Sequence, residues 1–121
     1  MRPDLAQPSV SAAAATSIQA FQSSVVDEVK HAIANHKVVV VGMGWNPHVR
    51  RARKALDAAG VAYHYLGYGN YLSAWKPRLA IKIWSGWPTF PQIYVGGTLI
   101  GGADQTEAAI ADRSLTAMLA A

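Results

Sequence analysis

The sequence predicts an α/β domain built on a four-stranded mixed sheet with helices on both faces. Three observations carry that prediction. A β-branched run, Val38-Val39-Val40-Val41, leads through a loop and a helical segment into a second strand-like segment. A Gly96-Gly97 pair joins two further apolar segments, the signature of a tight antiparallel hairpin. Three- and four-residue apolar periodicity marks helices before, between and after these strands.

In chain order, Ile18, Phe21, Val25, Val29 and Ile33 line one face of an extra N-terminal helix predicted from Ser17 to Asn35, with Ser17 as its cap. Lys37 to Val41 follows as a strand buried on both faces. The loop Gly42 to Pro47 places proline at the first position of the next helix, which runs to about Ala59 and closes at Gly60. Val61 to Leu66 alternates as a second strand. A helix from Leu72 to Trp84 is expected to break or restart at Pro77. Pro91 to Val95 and Thr98 to Ile100 form the hairpin. The last helix opens at Asp104, which we expect to cap it, with Glu107 completing a capping-box pair.

The bulk numbers exclude more than they assign. A chain of 121 residues suits one domain, and we divide it into a disordered Ala/Ser-rich tail over residues 1–17, with a cleaved leader as the lesser alternative, and a folded domain over residues 18–121. The formal charge of +4 is too modest for a nucleic-acid binder. No apolar run is long enough for a membrane span, so no membrane partner is expected and the cytoplasm is the default location. Cysteine is absent, which removes disulfides, thiolate metal sites and cysteine nucleophiles together. His31, His36 and His64 read as surface or core-edge residues, and Trp84 and Trp87 as packing residues. The run Arg50-Arg51-Ala52-Arg53-Lys54 reads as a solvated helix face or an electropositive rim.

One stretch is more specific. Trp87-Pro88-Thr89-Phe90-Pro91-Gln92-Ile93-Tyr94-Val95-Gly96-Gly97, followed by Leu99-Ile100-Gly101-Gly102-Ala103-Asp104, resembles the signature of the monothiol glutaredoxins. Arg78 and Lys82-Ile83-Trp84-Ser85 stand at the spacing of that family's upstream arginine, lysine and serine. The resemblance implies a thioredoxin-like fold and a role in glutathione-linked redox and iron–sulfur homeostasis. It implies a cis peptide before Pro91, which turns the N–H and C=O of Phe90 toward an extended peptide such as glutathione. It also implies a glutathione site made of Arg78, Lys82, Thr89, Phe90, Pro91, Gly102, Ala103 and Asp104. In that site the amides of Ala103 and Asp104, at a helix N-terminus, take the γ-glutamyl carboxylate. Arg78 and Lys82 take the glycine carboxylate at the far end, although two cations four apart on a helix also describe a plain solvated face.

Where that resemblance places the family's Cys-x-x-Cys or Cys-x-x-Ser motif, this chain has Asn46-Pro47-His48-Val49. Asn46 stands at the nucleophile's position and Val49 at the resolving cysteine's, so exchange through a mixed disulfide is not expected. Met43 replaces a lysine that relatives hold beside the thiolate. The 2Fe–2S cluster that monothiol relatives bridge with that cysteine is likewise not expected, because clusters need thiolate or imidazole. His48 is the one nearby imidazole. The residues leave two functions open: a non-catalytic binder of glutathione or an extended peptide, and a module that holds a partner protein in the same groove.

Overall fold

The computed structural model describes residues 11–70 and 72–120. Among them, helices α1 (Ala12–Ala20) and α2 (Ser23–Asn35) precede strand β1 (Val38–Gly42), helix α3 (Pro47–Ala58) and strand β2 (His64–Gly67). Helix α4 (Trp75–Ser85), the hairpin strands β3 (Gln92–Val95) and β4 (Thr98–Gly101), and helices α5 (Ala103–Ala111) and α6 (Ser114–Ala120) complete the chain. The sheet order is β2-β1-β3-β4, with β1 and β2 parallel and the β1–β3 and β3–β4 pairs antiparallel. This is the thioredoxin-like fold. No helix among the described residues is long and apolar enough to cross a membrane.

Strand β1 is buried along its whole length because it carries apolar side chains on both faces. Val39 and Val41 enter a cluster with Val29 of α2, Ile81 of α4, Phe90 and Tyr94. Val38 and Val40 enter a second cluster with Ala52 and Leu56 of α3, Ile93, Val95 and Leu115. The sheet is therefore sandwiched, with α2 and α4 on one face and α3, α5 and α6 on the other.

Several boundaries differ from expectation, each for a local reason. Helicity begins at Ala12 instead of Ser17, since alanine is the best helix former and Ser11 Oγ accepts the Ala14 N–H at 3.1 Å. The segment then divides at Gln22, whose φ is 49°. Residues 1–10 of the expected tail lie outside the described residues. Pro77 does not break α4, because it sits in the first turn, where a helix has no acceptor for its N–H. The strand β2 starts at His64, opposite Val39, and the His64 ring stacks on His36 with centroids 4.1 Å apart. The C-terminal helix is two helices: Arg113 has φ 65°, and Asp112 Oδ1 accepts the Ser114 N–H at 2.9 Å.

Gly42 ends β1 where α3 crosses the sheet. A Cβ there would stand 2.7 Å from Val49 Cγ1 and 3.1 Å from the Tyr65 ring. Gly42→Ala should therefore lower unfolding free energy by about 1–3 kcal/mol in urea denaturation, the range for overpacking a dense core. The double variant with Val49→Ala should lose less than the two single losses added, because the second change supplies the missing space.

Candidate functional site

The site forms where three elements converge: the N-terminus of α3, the corner before β3, and the N-terminus of α5. Asn46 organises the first. Its backbone is extended, and its side-chain Oδ1 accepts the N–H groups of His48 at 2.8 Å and Val49 at 3.1 Å, two donors that a helix start leaves without partners. Its Nδ2 then donates to the Phe90 carbonyl at 3.5 Å, so a single amide spans from helix to corner. Val49 is buried over Gly42, and Met43 is buried in the cluster that holds Phe90. Neither residue offers a charge to the site.

At the corner, the Phe90–Pro91 peptide is cis. Phe90 and Pro91 are buried, and Thr89 is exposed. The loop is tied to the sheet through Gln92, a fully buried polar side chain whose Nε2 donates to the Trp87 carbonyl at 3.0 Å. Gln92 Oε1 accepts the Tyr94 hydroxyl at 2.9 Å, so the amide is satisfied on both sides. Burial pushes the Tyr94 phenol up to about 12, against a lowering contact from Ser85.

The third element departs from the sequence reading. Gly102 is the N-cap of α5, and Gln105 Oε1 reaches back to accept its N–H at 3.0 Å. The N-cap is thus offset by two residues from the expected Asp104, and only the Gln105 half of a capping box is present, because glycine has no side chain to return the bond. Asp104 lies in the first turn, its side chain 82% exposed, and pairs with the Arg51 guanidinium from α3. Arg51 Nε also lies 3.1 Å from Glu107 Oε2. The amides of Ala103 and Asp104 belong to the first turn, where a helix supplies no acceptor.

Between these elements runs an open groove of about 270 Å³. It brings together Thr89, Phe90, Pro91, Gly102, Ala103 and Asp104, six residues singled out in the sequence. It adds His48, Arg51, Trp87 and Gln105. The Trp87 indole N–H is buried there without a hydrogen-bond partner. Lys82 is not among the residues lining the groove, but its Nζ stands 5.6 Å from the Phe90 ring centroid. Arg78 is placed elsewhere: it is buried, and its Nη1 donates to the carbonyls of Tyr68, at 3.0 Å, and Ser73. It holds the loop before α4 and is not among the residues lining the groove. The basic run on α3 is likewise engaged, with Arg53 4.0 Å from the Tyr65 ring centroid and 3.2 Å from the Tyr63 hydroxyl.

Comparison with known proteins gives the family. The glutaredoxin family model matches residues 38–100. A glutaredoxin-like protein of Dictyostelium discoideum is 52% identical over 89 residues, covering 74% of this chain and 72% of that protein. Monothiol glutaredoxin-4 of Schizosaccharomyces pombe is 40% identical over 53 residues, covering 44% of this chain and 22% of that protein. Among solved structures, a buckwheat glutaredoxin–glutathione complex superimposes with a TM-score of 0.68 at 22% identity, covering 81% of this chain and 89% of that one. The chain belongs to the glutaredoxin family, as a member without cysteine.

A 2Fe–2S cluster does not fit the residues present. Position 46 carries an amide, the chain has no thiol, and no group of three or more metal-ligating side chains occurs among the described residues.

Two outcomes follow from the hydrogen bonds. Asn46→Ala should cost about 0.5–2 kcal/mol in denaturant unfolding, whereas Asn46→Asp should cost less, because it keeps the capping oxygen and loses only the donor to Phe90. Tyr94→Phe should cost about 1–3 kcal/mol at neutral pH by leaving Gln92 Oε1 unpaired. At high pH the difference should narrow. The unfolded phenol ionises near 10 and the folded one near about 12, so the stability it contributes is complete below pH 10 and is lost as pH rises toward 12. Unfolding curves of both proteins across that range test the sign.

Proposed function

We propose that this chain is a non-catalytic glutaredoxin-family protein that binds glutathione, or an extended peptide of similar form, in the groove between the Phe90–Pro91 corner and the N-terminus of α5. The observation that carries this reading is the convergence of six sequence-selected residues on that groove, with first-turn amides at one end and Lys82 near the Phe90 ring. A carboxylate is stabilised by such amides and by the positive end of the helix dipole. A buckwheat glutaredoxin of the same fold forms a complex with glutathione, which supports glutathione as the ligand class here. We infer a cytoplasmic setting from the sequence reading alone.

The chemistry available is binding. Glutathione's thiol would face Asn46, whose side chain is committed to His48, Val49 and Phe90 and has no sulfur with which to form a mixed disulfide. Arg78 belongs to the sequence-derived ligand set, but its guanidinium holds the Tyr68–Ser73 loop, so Lys82 is the better candidate for the distal carboxylate. The runner-up, a partner protein in the same groove, uses the same backbone groups.

Titration with glutathione followed by amide NMR tests the reading. Saturable shifts at Phe90, Ala103 and Asp104, with a dissociation constant in the millimolar range or tighter, are expected. Absence of shifts at ligand excess would sink it. The same protein should show no turnover above background in a mixed-disulfide reduction assay.

A further inference from the structure

Helices α2 and α4 pack side by side on one face of the sheet, and the outer surface they share carries large apolar side chains. On α4, Leu79 is 40% exposed, Ile83 52% and Trp84 37%, although the helix already buries Ala80 and Ile81 inward. The outer side of α3, by contrast, presents Arg50, Lys54 and Asp57 to water, as a solvated helix should. We propose that the α2–α4 face is a two-fold interface between two copies of this chain, formed in solution and independent of the groove.

The residues stand on one surface. Leu79 and Ile83 are one turn apart, so they lie on the same side of α4. Between the helices is a cavity of about 450 Å³, walled by Ile83 and Trp84 from α4, by Val26, Asp27 and Lys30 from α2, and by Phe21 just before α2. It is an apolar socket with one acid and one base at its rim. The Lys30 Nζ lies 6.0 Å from the Trp84 ring centroid, which sets the ammonium at the edge of the apolar patch. None of these residues lines the groove at the Phe90–Pro91 corner.

Charge selects the occupant. Asp27 and Lys30 are both exposed, stand three residues apart on one side of α2, and join no salt bridge among the described residues. A two-fold axis that passes between them, perpendicular to α2, sets the α2 helices of two copies antiparallel. Asp27 of each copy then faces Lys30 of the other, and both pairs form at once, because such a contact is its own complement. Val26, Ile83 and Trp84 flank the pair and are the apolar surface that association removes from water. The remaining charges on the two helices are engaged or distant. Glu28 accepts the Tyr68 hydroxyl, Lys82 stands by the Phe90 ring, and Lys76 lies two turns before Ile83. A partner of one sign meets an unmatched charge here: an acidic segment or an anionic bilayer meets Asp27, and a basic segment meets Lys30. A second copy matches both.

Sedimentation equilibrium of the full chain at rising concentration tests this, and a monomer–dimer equilibrium is expected. Asp27→Lys and Lys30→Asp should each raise the dissociation constant about tenfold or more, because either change sets like charges opposite each other on both sides of the axis. Mixing the two variants should restore association, since every cation of one then faces an acid of the other. A chain carrying both changes should associate as the parent does, which a merely destabilised fold would not. Both positions are exposed, and circular dichroism checks that the variants are folded. A chain that stays monomeric at the highest concentration, a dimer indifferent to either single change, or single variants that fail to associate when mixed would overturn the proposal. So would a monomer that dimerises only once residues 1–10 are removed, which would give the face to the chain's own N-terminal segment. Glutathione-induced shifts at Phe90, Ala103 and Asp104 should be the same in every variant, so this interface and the groove assignment fail separately.

Discussion

Everything in the molecule is hung on a strand that has no solvent side. Burying β1 on both faces requires a helix pair above and helices below, and each layer is drawn to the sheet by the same valines. At about 25 cal/mol per Å² of apolar surface removed from water, such a strand is the main attractor in a domain of this size. The layers then meet at its C-terminal end, where Gly42 yields space to Val49 and the chain turns through Met43 and Trp45 to Asn46. The position of the groove is therefore a consequence of core packing. The helix starts that line it are where they are because α3 and α5 lie side by side on the face that Val38 and Val40 define.

The site itself is held by polar contacts that do not compete with one another. Asn46 fastens α3 to the corner, Gln92 fastens the corner to β3 through Trp87 and Tyr94, and Gln105 fastens α5 to its N-cap. Arg51 joins the two helices from outside by pairing with Asp104 and standing over Glu107. That bridge is solvent-exposed and stabilises the fold only slightly. Its effect is electrostatic: it sets which charges a ligand meets at the α5 end of the groove.

Much of this was legible in the sequence, and the residues show why. Val38 to Val41, Gly96-Gly97 and the stretch from Trp87 to Asp104 are local signals, in which neighbouring positions carry both the conformation and the contact. Arg78 was misleading because a cation on a helix looks the same whether it faces a ligand or its own backbone; only the path of the loop over it decides. Arg51 and Trp87 escaped assignment as groove residues for the complementary reason. Arg51 sat in a run of five that reads as a solvated face, and it reaches Asp104 across 53 positions of chain. The α5 cap was misplaced by two residues because Gly102 has no side chain to advertise it, and the signal lay in Gln105 instead.

Asn46 has one more property, which concerns time. Asparagine side chains are lost on storage and in long-lived proteins when the next residue's backbone nitrogen attacks the amide and closes a succinimide ring. The next residue here is Pro47, whose ring nitrogen bears no hydrogen and cannot complete that closure. A cysteine at the same helix start, with its thiolate favoured, would be open to stepwise oxidation, part of it irreversible. The pairing of an amide cap with proline closes both of these routes at position 46. Position 46 thus keeps its capping amide against succinimide-mediated loss and offers no sulfur to oxidise.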